Sequence, residues 1–283
     1  MIDFKNLKEP YFIAEVGINH NGDLQIAKKL IDATFACQWD CVKFQKREPD
    51  LCVPEHQKNV EKETPWGKMI YLEYKKRIEF GKKEYDYIEN YCKEKPIDWT
   101  ASVWDLPSLK FLLQYDVPFI KIPSAKLTDR ELLIGACMSG KPLLVSTGMS
   151  TTEEIDKAVD ILEKYASQYA LMHCNSAYPA PTEELNVNCV QTLKKKYNCP
   201  IGYSGHEDNL EPSVYAAVLG AKIIERHITL DHNMWGTDHA SSLEVVAMDM
   251  LKKRIKNVNK ILGSGEKIVT EKEKEVRQKL RGY

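Results

Sequence analysis

Two lysines lie within short apolar runs of this 283-residue chain, Lys43 in the run VKF and Lys121 in the run IKI. One interpretation is that each aliphatic stem points outward and carries its ammonium group to solvent. The other is that both ammonium groups are buried, which is costly without a negative partner and therefore indicates an anionic ligand. Ser124, Ser146 and Ser204 add hydroxyl donors, although each serine could equally be a small packing residue. Ammonium groups with hydroxyls suit a phosphate and a carboxylate.

Two histidines close the last two β-rich runs, His206 in GYSGH and His227 in ERHIT. Imidazoles on neighbouring strands can share a divalent metal ion, with water or ligand oxygens completing its shell. Asp238, in the following WGTDH segment, could add a carboxylate. The alternative is that hydrogen bonds satisfy each histidine separately. We expect His173, which precedes a cysteine, to be structural.

Glu15 ends the first β-rich run, in the segment AEVG. A carboxylate there can bind a substrate hydroxyl or act as a general acid or base. The alternative is a salt bridge between Glu15 and one of the two lysines. The next residues, Asn19 to Gly22, could be only a turn, because Asn-Gly is a common turn pair.

Eight β-rich runs could carry these residues, with helical spacing between several of them. Apolar residues recur at helical intervals over 24–33 and 155–162, which predicts amphipathic helices there. Alternating strands and helices indicate an α/β fold, either an open doubly wound sheet or a closed (β/α)8 TIM barrel. The number of runs and the lack of a GxGxxG after the first run favour the barrel. The predicted strands are 11–16, 41–45, 98–103, 119–124, 142–147, 169–175, 200–204 and 222–229.

The barrel prediction gives the polar residues a common location, because barrel enzymes carry their chemistry at the C-terminal ends of the strands. Nearly every predicted strand of this chain ends in polar groups. We expect a single barrel domain over residues 1–262, followed by a charged tail over 263–283. Residues 46–67 form the longest polar connection and could be an active-site loop.

Composition excludes several classes of protein. Hydrophobic residues make up 43% of the chain and charged residues 29%, which is typical of a globular protein. The net charge of −1 provides no basic field, so we expect no nucleic-acid partner and no anionic membrane partner. No apolar run approaches the ~20 residues of a membrane span. The eight cysteines form no CxxC pair, and without an apolar leader we expect reduced thiols and a cytoplasmic location.

Together these blocks resemble the sialic acid synthase family, the phosphoenolpyruvate-condensing barrels that make N-acetylneuraminate and related nonulosonates. The similarity extends from about residue 10 to about residue 245, with the blocks in family order. The matching blocks are IAEVGINHNG at 13–22, VKFQ at 42–45, KIPS at 121–124, STGM at 146–149, LMHC at 171–174, YP at 178–179, GYSGH at 202–206 and ERHIT at 225–229.

The resemblance implies a role for each matching residue. It implies phosphoenolpyruvate binding by two lysines and four serines, Lys43, Lys121, Ser102, Ser124, Ser146 and Ser204. It implies a divalent metal, Mn²⁺ or Mg²⁺, on His206 and His227, a catalytic glutamate at Glu15, and a position near the acceptor and metal-bound water for Asp238. We expect Glu15 and Asp238 to be the catalytic residues that move protons. We place the sugar acceptor near Gln45, Asn19, Tyr178 and Ser176.

Some features depart from the family pattern. Members usually continue into a small C-terminal antifreeze-like domain that reaches over the partner's active site in a homodimer. This chain stops where that domain would begin, so either a separate lid protein covers the site or the acceptor does not need that contact. Lys126 stands where many members have an acidic residue, and a cation there could favour an acceptor bearing phosphate or carboxylate.

The expected reaction joins phosphoenolpyruvate to an open-chain amino-sugar aldehyde, such as N-acetylmannosamine. The products are a 2-keto-3-deoxy sugar acid and phosphate, released by C–O cleavage. One alternative is a related 3-deoxy sugar-acid phosphate synthase or a metal-dependent aldolase. Another is a catalytically silent binding or scaffold subunit.

Overall fold

Short, mostly apolar runs form the eight parallel strands of a closed barrel in the computed structural model, which describes residues 1–282. Each strand pairs with its neighbour in chain order and the last pairs with the first, so the predicted TIM barrel is confirmed. A separate two-stranded hairpin, β3 and β4, follows the second strand. The strands are β1 (Tyr11–Gly17), β2 (Cys41–Lys46), β3 (Glu61–Thr64), β4 (Gly67–Ile70), β5 (Asp98–Val103), β6 (Ile120–Ile122), β7 (Leu143–Ser146), β8 (Tyr169–His173), β9 (Ile201–Gly205) and β10 (Ile223–His227).

Helices cover the outside of the barrel, and several of them begin at a residue whose side chain caps the helix. The Asp23 carboxylate accepts a hydrogen bond of 2.7 Å from the Gln25 backbone N–H, and Thr151 forms a capping box with Glu154. The helices are α1 (Leu24–Ala36), α2 (Pro49–Cys52), α3 (Glu55–Lys58), α4 (Tyr71–Ile78), α5 (Lys82–Glu94), α6 (Leu106–Leu112), α7 (Arg130–Met138), α8 (Thr152–Tyr165), α9 (Cys189–Lys196), α10 (Glu211–Val218), α11 (Val245–Lys256), α12 (Val258–Leu262) and α13 (Glu271–Arg281).

Inside the barrel, apolar and charged side chains occupy different levels. Side chains two residues apart on a strand face the same side. On four strands an inward apolar residue is therefore followed, two positions later, by an inward charged one. These pairs are Ile13 and Glu15, Cys41 and Lys43, Phe119 and Lys121, and Ile223 and Glu225. The apolar members form a closed plug, and the charged members lie above it at the C-terminal ends of the strands.

Strand register brings the charged level together. Glu15 on β1 lies opposite both Lys43 on β2 and His227 on β10. Ser102 on β5 lies opposite Lys121 on β6. Barrel closure therefore makes residues from distant parts of the chain immediate neighbours.

The chain beyond the barrel is exposed to solvent from residue 259 to residue 282. Its last helix, α13, is capped by the Thr270 hydroxyl, which accepts a hydrogen bond of 3.3 Å from the Glu273 backbone N–H. The division at residue 262 stays a prediction, and Tyr283, the last residue of the predicted tail, lies outside the described residues. Among residues 1–282, no helix has the length and apolar character needed to span a bilayer.

Candidate active site

A cavity of about 270 Å³ opens at the C-terminal ends of the barrel strands. Its wall includes residues from all eight barrel strands or the loops that follow them, and Glu225 and Cys174 are two that sequence analysis gave no role. Most predicted site residues line it: Glu15, Lys43, Gln45, Ser102, Lys121, Ser124, Ser146, Ser176, Tyr178, Ser204, His206 and His227.

A buried network of two lysines and two carboxylates forms the floor of this cavity. The Lys43 ammonium group is in close contact with the Glu15 carboxylate and lies 3.7 Å from Glu225. Lys121 donates hydrogen bonds of 2.8 Å to both carboxylate oxygens of Glu225. None of the four residues is more than 4% exposed. The interpretation that the lysines point outward to solvent is therefore wrong, and the predicted alternative of a Glu15 salt bridge is present.

Glu225 is the member of this network whose role the sequence did not reveal. It stands two residues before His227 on β10, so both side chains face inward. Ser204 donates a 3.1 Å hydrogen bond to its carboxylate. Although burial raises the pKa of Glu225, the ammonium groups of Lys121 and Lys43 outweigh burial and lower it from 4.5 to about 2.

This depressed pKa predicts how acid affects stability. A carboxyl group whose pKa is lower in the folded state stabilises the fold above its unfolded pKa, near 4.5, and that stabilisation is lost as pH falls toward about 2. For Glu225→Gln we expect a shallower fall of the unfolding free energy on acidification, by up to about 1.4 kcal/mol per pH unit. Urea unfolding at several pH values measures this slope. Glu55→Gln, on the exposed helix α3, is the control, and parallel curves for wild type and Glu225→Gln would contradict the prediction.

Hydroxyl groups surround the two lysines on the remaining wall. The buried Ser102 hydroxyl oxygen has no hydrogen-bond partner among the described residues. Ser124 accepts a 3.1 Å hydrogen bond from the Gly148 backbone N–H and lies 3.1 Å from the Cys174 sulfur. A side chain at Gly148 would not fit, because its Cβ would lie 2.3 Å from the Ser176 hydroxyl. The wall therefore offers donors to an anion above the lysines.

The two histidines meet across the cavity, with ring centroids 5.4 Å apart. His206 Nδ1 is in close contact with the Asn175 carbonyl oxygen, and its Nε2 lies 2.9 Å from the Tyr178 hydroxyl. His227 Nδ1 is buried and finds no hydrogen-bond partner in the described part of the chain. The Asp238 carboxylate lies 3.7 Å from that nitrogen.

These residues fit a divalent metal ion, which binds the neutral form of histidine. Burial, followed by the neighbouring His227, lowers the pKa of His206 to about 3, so its imidazole is neutral at physiological pH. An unpartnered nitrogen on His227 and a nearby carboxylate on Asp238 add two further donors. Within residues 1–282 no group of three or more His, Cys, Asp or Glu side chains is already arranged as a metal site. Water or ligand oxygens would have to complete the shell.

The other predicted residues occupy different positions. Gln45 donates a 2.9 Å hydrogen bond to Glu15 and lines the cavity. Asn19 does not line it: its buried amide donates to the Ile228 carbonyl and the Ser242 hydroxyl, at 2.9 and 2.8 Å. The structure thus does not bring Asn19 to the other site residues, and its contact with a sugar stays a prediction.

His173 and Lys126 also have partners in the structure. His173 Nε2 lies 2.8 Å from the Leu185 carbonyl oxygen, as expected of a structural histidine. Lys126 pairs with Asp129 at 3.2 Å and is not part of the cavity wall. Its effect on the choice of acceptor stays a prediction.

The sequence and the structure of this chain are similar to those of known proteins. A sequence model described as "NeuB family" matches residues 30–267. Human N-acetylneuraminate-9-phosphate synthase is 36% identical over 91% of this chain and 72% of its own length. N,N'-diacetyllegionaminic acid synthase of Campylobacter jejuni is 34% identical over 94% of this chain and 81% of its own. The crystal structure of N-acetylneuraminic acid (sialic acid) synthetase from Leptospira borgpetersenii superposes with a TM-score of 0.85 at 33% identity, covering 98% of this chain and 94% of that one.

Proposed function

This chain belongs to the NeuB family, and from that premise we propose that it joins phosphoenolpyruvate to the aldehyde of an open-chain amino sugar. The chain is an enzyme, a transferase like its synthase relatives. The proposed products are a 2-keto-3-deoxy sugar acid and inorganic phosphate. The observation that carries the proposal is one cavity lined by two buried lysines and two histidines, so that groups suited to an anion and to a metal face the same space.

We assign the phosphoenolpyruvate site to the lysine end of the cavity. Lys43 and Lys121 supply positive charge, and hydroxyls supply further donors, from Ser102, Ser124, Ser146 and Ser204. Phosphate and carboxylate groups accept several charge-assisted hydrogen bonds, which suits such a donor-rich wall. Glu15 and Glu225 keep the lysines charged and in place while the substrate is absent.

We assign the sugar acceptor to the histidine end. A divalent ion, Mn²⁺ or Mg²⁺, held by nitrogens of His206 and His227 would supply Lewis-acid polarisation of the sugar aldehyde. Gln45, Tyr178 and Ser176 line this part of the cavity and can hydrogen-bond sugar hydroxyls. Holding both substrates in one enclosed space provides the near-contact geometry that carbon–carbon bond formation needs.

The bond changes follow from the two substrates. C3 of phosphoenolpyruvate forms a bond to the aldehyde carbon, and the aldehyde oxygen takes up a proton to become a hydroxyl. Water adds to the electron-poor C2 and loses a proton. The C2–O bond to phosphate then breaks, phosphate leaves with the bridging oxygen and the bonding electron pair, and the C2 hydroxyl loses its proton to give a ketone. Glu15 and Asp238 are the carboxylates we assign to these proton transfers.

We also propose a cytoplasmic location and a homodimer. All eight cysteines are free, and five of them are buried, in agreement with a reducing compartment. The homodimer depends on the family resemblance alone.

Phosphate release with a panel of acceptors tests the proposed reaction. The protein would be incubated with phosphoenolpyruvate, Mn²⁺ and N-acetylmannosamine, its 6-phosphate or a bacillosamine-derived hexose. We expect phosphate only when both metal and a suitable acceptor are present, with a product whose mass is that of the acceptor plus pyruvic acid. Turnover with pyruvate in place of phosphoenolpyruvate would identify an aldolase. Binding of phosphoenolpyruvate without turnover of any acceptor would favour a silent subunit.

A further inference from the structure

A second, smaller cavity of about 70 Å³ lies beside the candidate active site. Gln45 and Trp104 line both cavities, so the two are neighbours across these side chains. Gly17 lies in its wall, and a Cβ there would lie 3.2 Å from His227 and 3.3 Å from the Gln45 amide nitrogen. A side chain at Gly17 would therefore crowd His227, in the wall of the first cavity, and Gln45, in the wall of both.

Two cations line this second cavity, Arg47 after β2 and Lys75 on α4. In the part of the chain that the structure describes, neither forms an ion pair with a carboxylate. Glu79 also lines the cavity, but its carboxylate is occupied by Lys46 at 2.7 Å and by the Arg47 backbone N–H at 3.1 Å. The cavity thus holds more positive charge than its own residues neutralise.

Hydrogen-bond donors in this cavity also lack acceptors. The Arg47 guanidinium stacks on the Trp104 ring at 3.9 Å. Both Arg47 Nε and Trp104 Nε1 are buried and without a hydrogen-bond partner among residues 1–282. Buried donors without acceptors cost free energy, and an anion with several oxygens would satisfy them together.

The electrostatics of Lys75 agree with this shortage of negative charge. Burial, followed by repulsion from Arg47, lowers its pKa from 10.5 to about 8. Asp238 and Glu79 attract the ammonium group, each less strongly than Arg47 repels it. An anion between Arg47 and Lys75 would relieve that repulsion.

We infer that this second cavity binds an anionic group, best a phosphate, carried by the end of the acceptor sugar that is remote from its aldehyde. The inference rests on the proposed function and adds to it the charge of the acceptor. Gln45 connects the two cavities, since its amide nitrogen donates to Glu15 while its amide oxygen accepts from Arg47. A sugar chain seated along Gln45 has its aldehyde near the histidines and its far end near the cations.

Phosphate suits the cavity better than a neutral hydroxyl does. Arginine, lysine and indole N–H groups are donors only, so they match a group that offers acceptors only. A neutral hydroxymethyl group would leave most of these donors unsatisfied. The competing interpretation is purely structural: Arg47 stacks on Trp104 to close the mouth, and Lys75 packs over the Tyr71 and Tyr74 rings.

The test compares N-acetylmannosamine with N-acetylmannosamine 6-phosphate, two sugars that differ only in the remote phosphate. Calorimetry gives the affinity for each, and phosphate release from phosphoenolpyruvate gives kcat/KM. We expect wild type to prefer the phosphorylated sugar. Arg47→Gln and Lys75→Gln should each weaken it by about 10- to 100-fold, the range for one charge-assisted hydrogen bond, while changing the neutral sugar less. Arg47→Lys should retain part of the preference, because it keeps the charge.

Lys76→Gln is the matched control, since Lys76 lies on the same helix but is exposed and pairs with Asp50 at 2.8 Å. It should leave both sugars unaffected. Equal affinity of wild type for the two sugars, no detectable binding of the phosphorylated one, or equal losses for both sugars in Arg47→Gln and Lys75→Gln would overturn the inference. Selective binding of the phosphorylated sugar without turnover would support this cavity's role and count against the proposed reaction. Turnover of both sugars without preference would support the proposed reaction and count against this cavity's role.

Discussion

Replacing Lys121 by methionine is expected to weaken phosphoenolpyruvate binding by about 100-fold or more and to lower the free energy of unfolding by about 3–5 kcal/mol. The affinity falls because the substrate loses a buried ammonium donor at the floor of the cavity. The stability falls because Glu225 then keeps a charge with fewer partners at a position that is only 4% exposed. Calorimetry with phosphoenolpyruvate and urea unfolding measure the two effects.

The double variant Lys121→Met with Glu225→Gln separates the two effects. Removing both charges takes away the uncompensated carboxylate, so much of the stability should return. Phosphoenolpyruvate binding should stay weak, because the donor is still missing. Lys126→Met serves as the control, since Lys126 pairs with Asp129 outside the cavity. Wild-type affinity in the stable double variant would show that Lys121 has only a structural role.

Replacing His227 by alanine is expected to reduce turnover by about 1000-fold or more, because a Lewis acid contributes several kcal/mol to such a reaction. The same loss is expected for His206→Ala, since both imidazoles are proposed to hold one ion. Equilibrium dialysis with Mn²⁺ gives a second readout that does not depend on turnover, and each variant should bind the ion more weakly. A chelator should stop phosphate release by the wild type.

The control for the histidine variants is His232→Ala. His232 lies about half exposed near Glu244 and outside the cavity, so its loss should leave metal binding and turnover unchanged. Full activity or undiminished Mn²⁺ binding in His227→Ala would remove the metal assignment. Unchanged Mn²⁺ binding with lost turnover would instead assign His227 to substrate contact.

The barrel could be predicted because its strands are buried on both faces and therefore appear as apolar runs. Every predicted strand coincides with a barrel strand, but some predicted ends lie too far along the chain. The fourth was predicted to reach residue 124, whereas β6 ends at Ile122, because Pro123 cannot donate a ladder hydrogen bond and a 3-10 turn follows. The hairpin of β3 and β4 was missed, since its strands are mostly exposed and lack an apolar pattern.

The candidate site could be predicted where a polar residue stands at the end of an apolar run. Lys43 and Lys121 stand out because apolar neighbours surround them on short strands, and His206 and His227 stand out because each closes a β-rich run. Glu225 carries the same signal, but its role depends on which strands become neighbours when the barrel closes, and an apolar run does not reveal that.

Arg47 and Lys75 could not be predicted by this rule, because they belong to the connection after β2 and to helix α4. Only folding brings the two side chains to the same cavity. The packing of Asn19 could not be predicted either, because its amide donates to the Ser242 hydroxyl, which lies far along the chain. Its contact with a sugar stays a prediction.

The most direct measurement follows the bridging oxygen of phosphoenolpyruvate. The enzyme would be given phosphoenolpyruvate labelled with ¹⁸O between C2 and phosphorus, together with Mn²⁺ and the acceptor that supports turnover. The proposed reaction breaks the C2–O bond, so mass spectrometry should find the label in the released phosphate and the three carbons of phosphoenolpyruvate in the sugar acid. Unlabelled phosphate, or a sugar that has not gained those carbons, would contradict the proposed condensation.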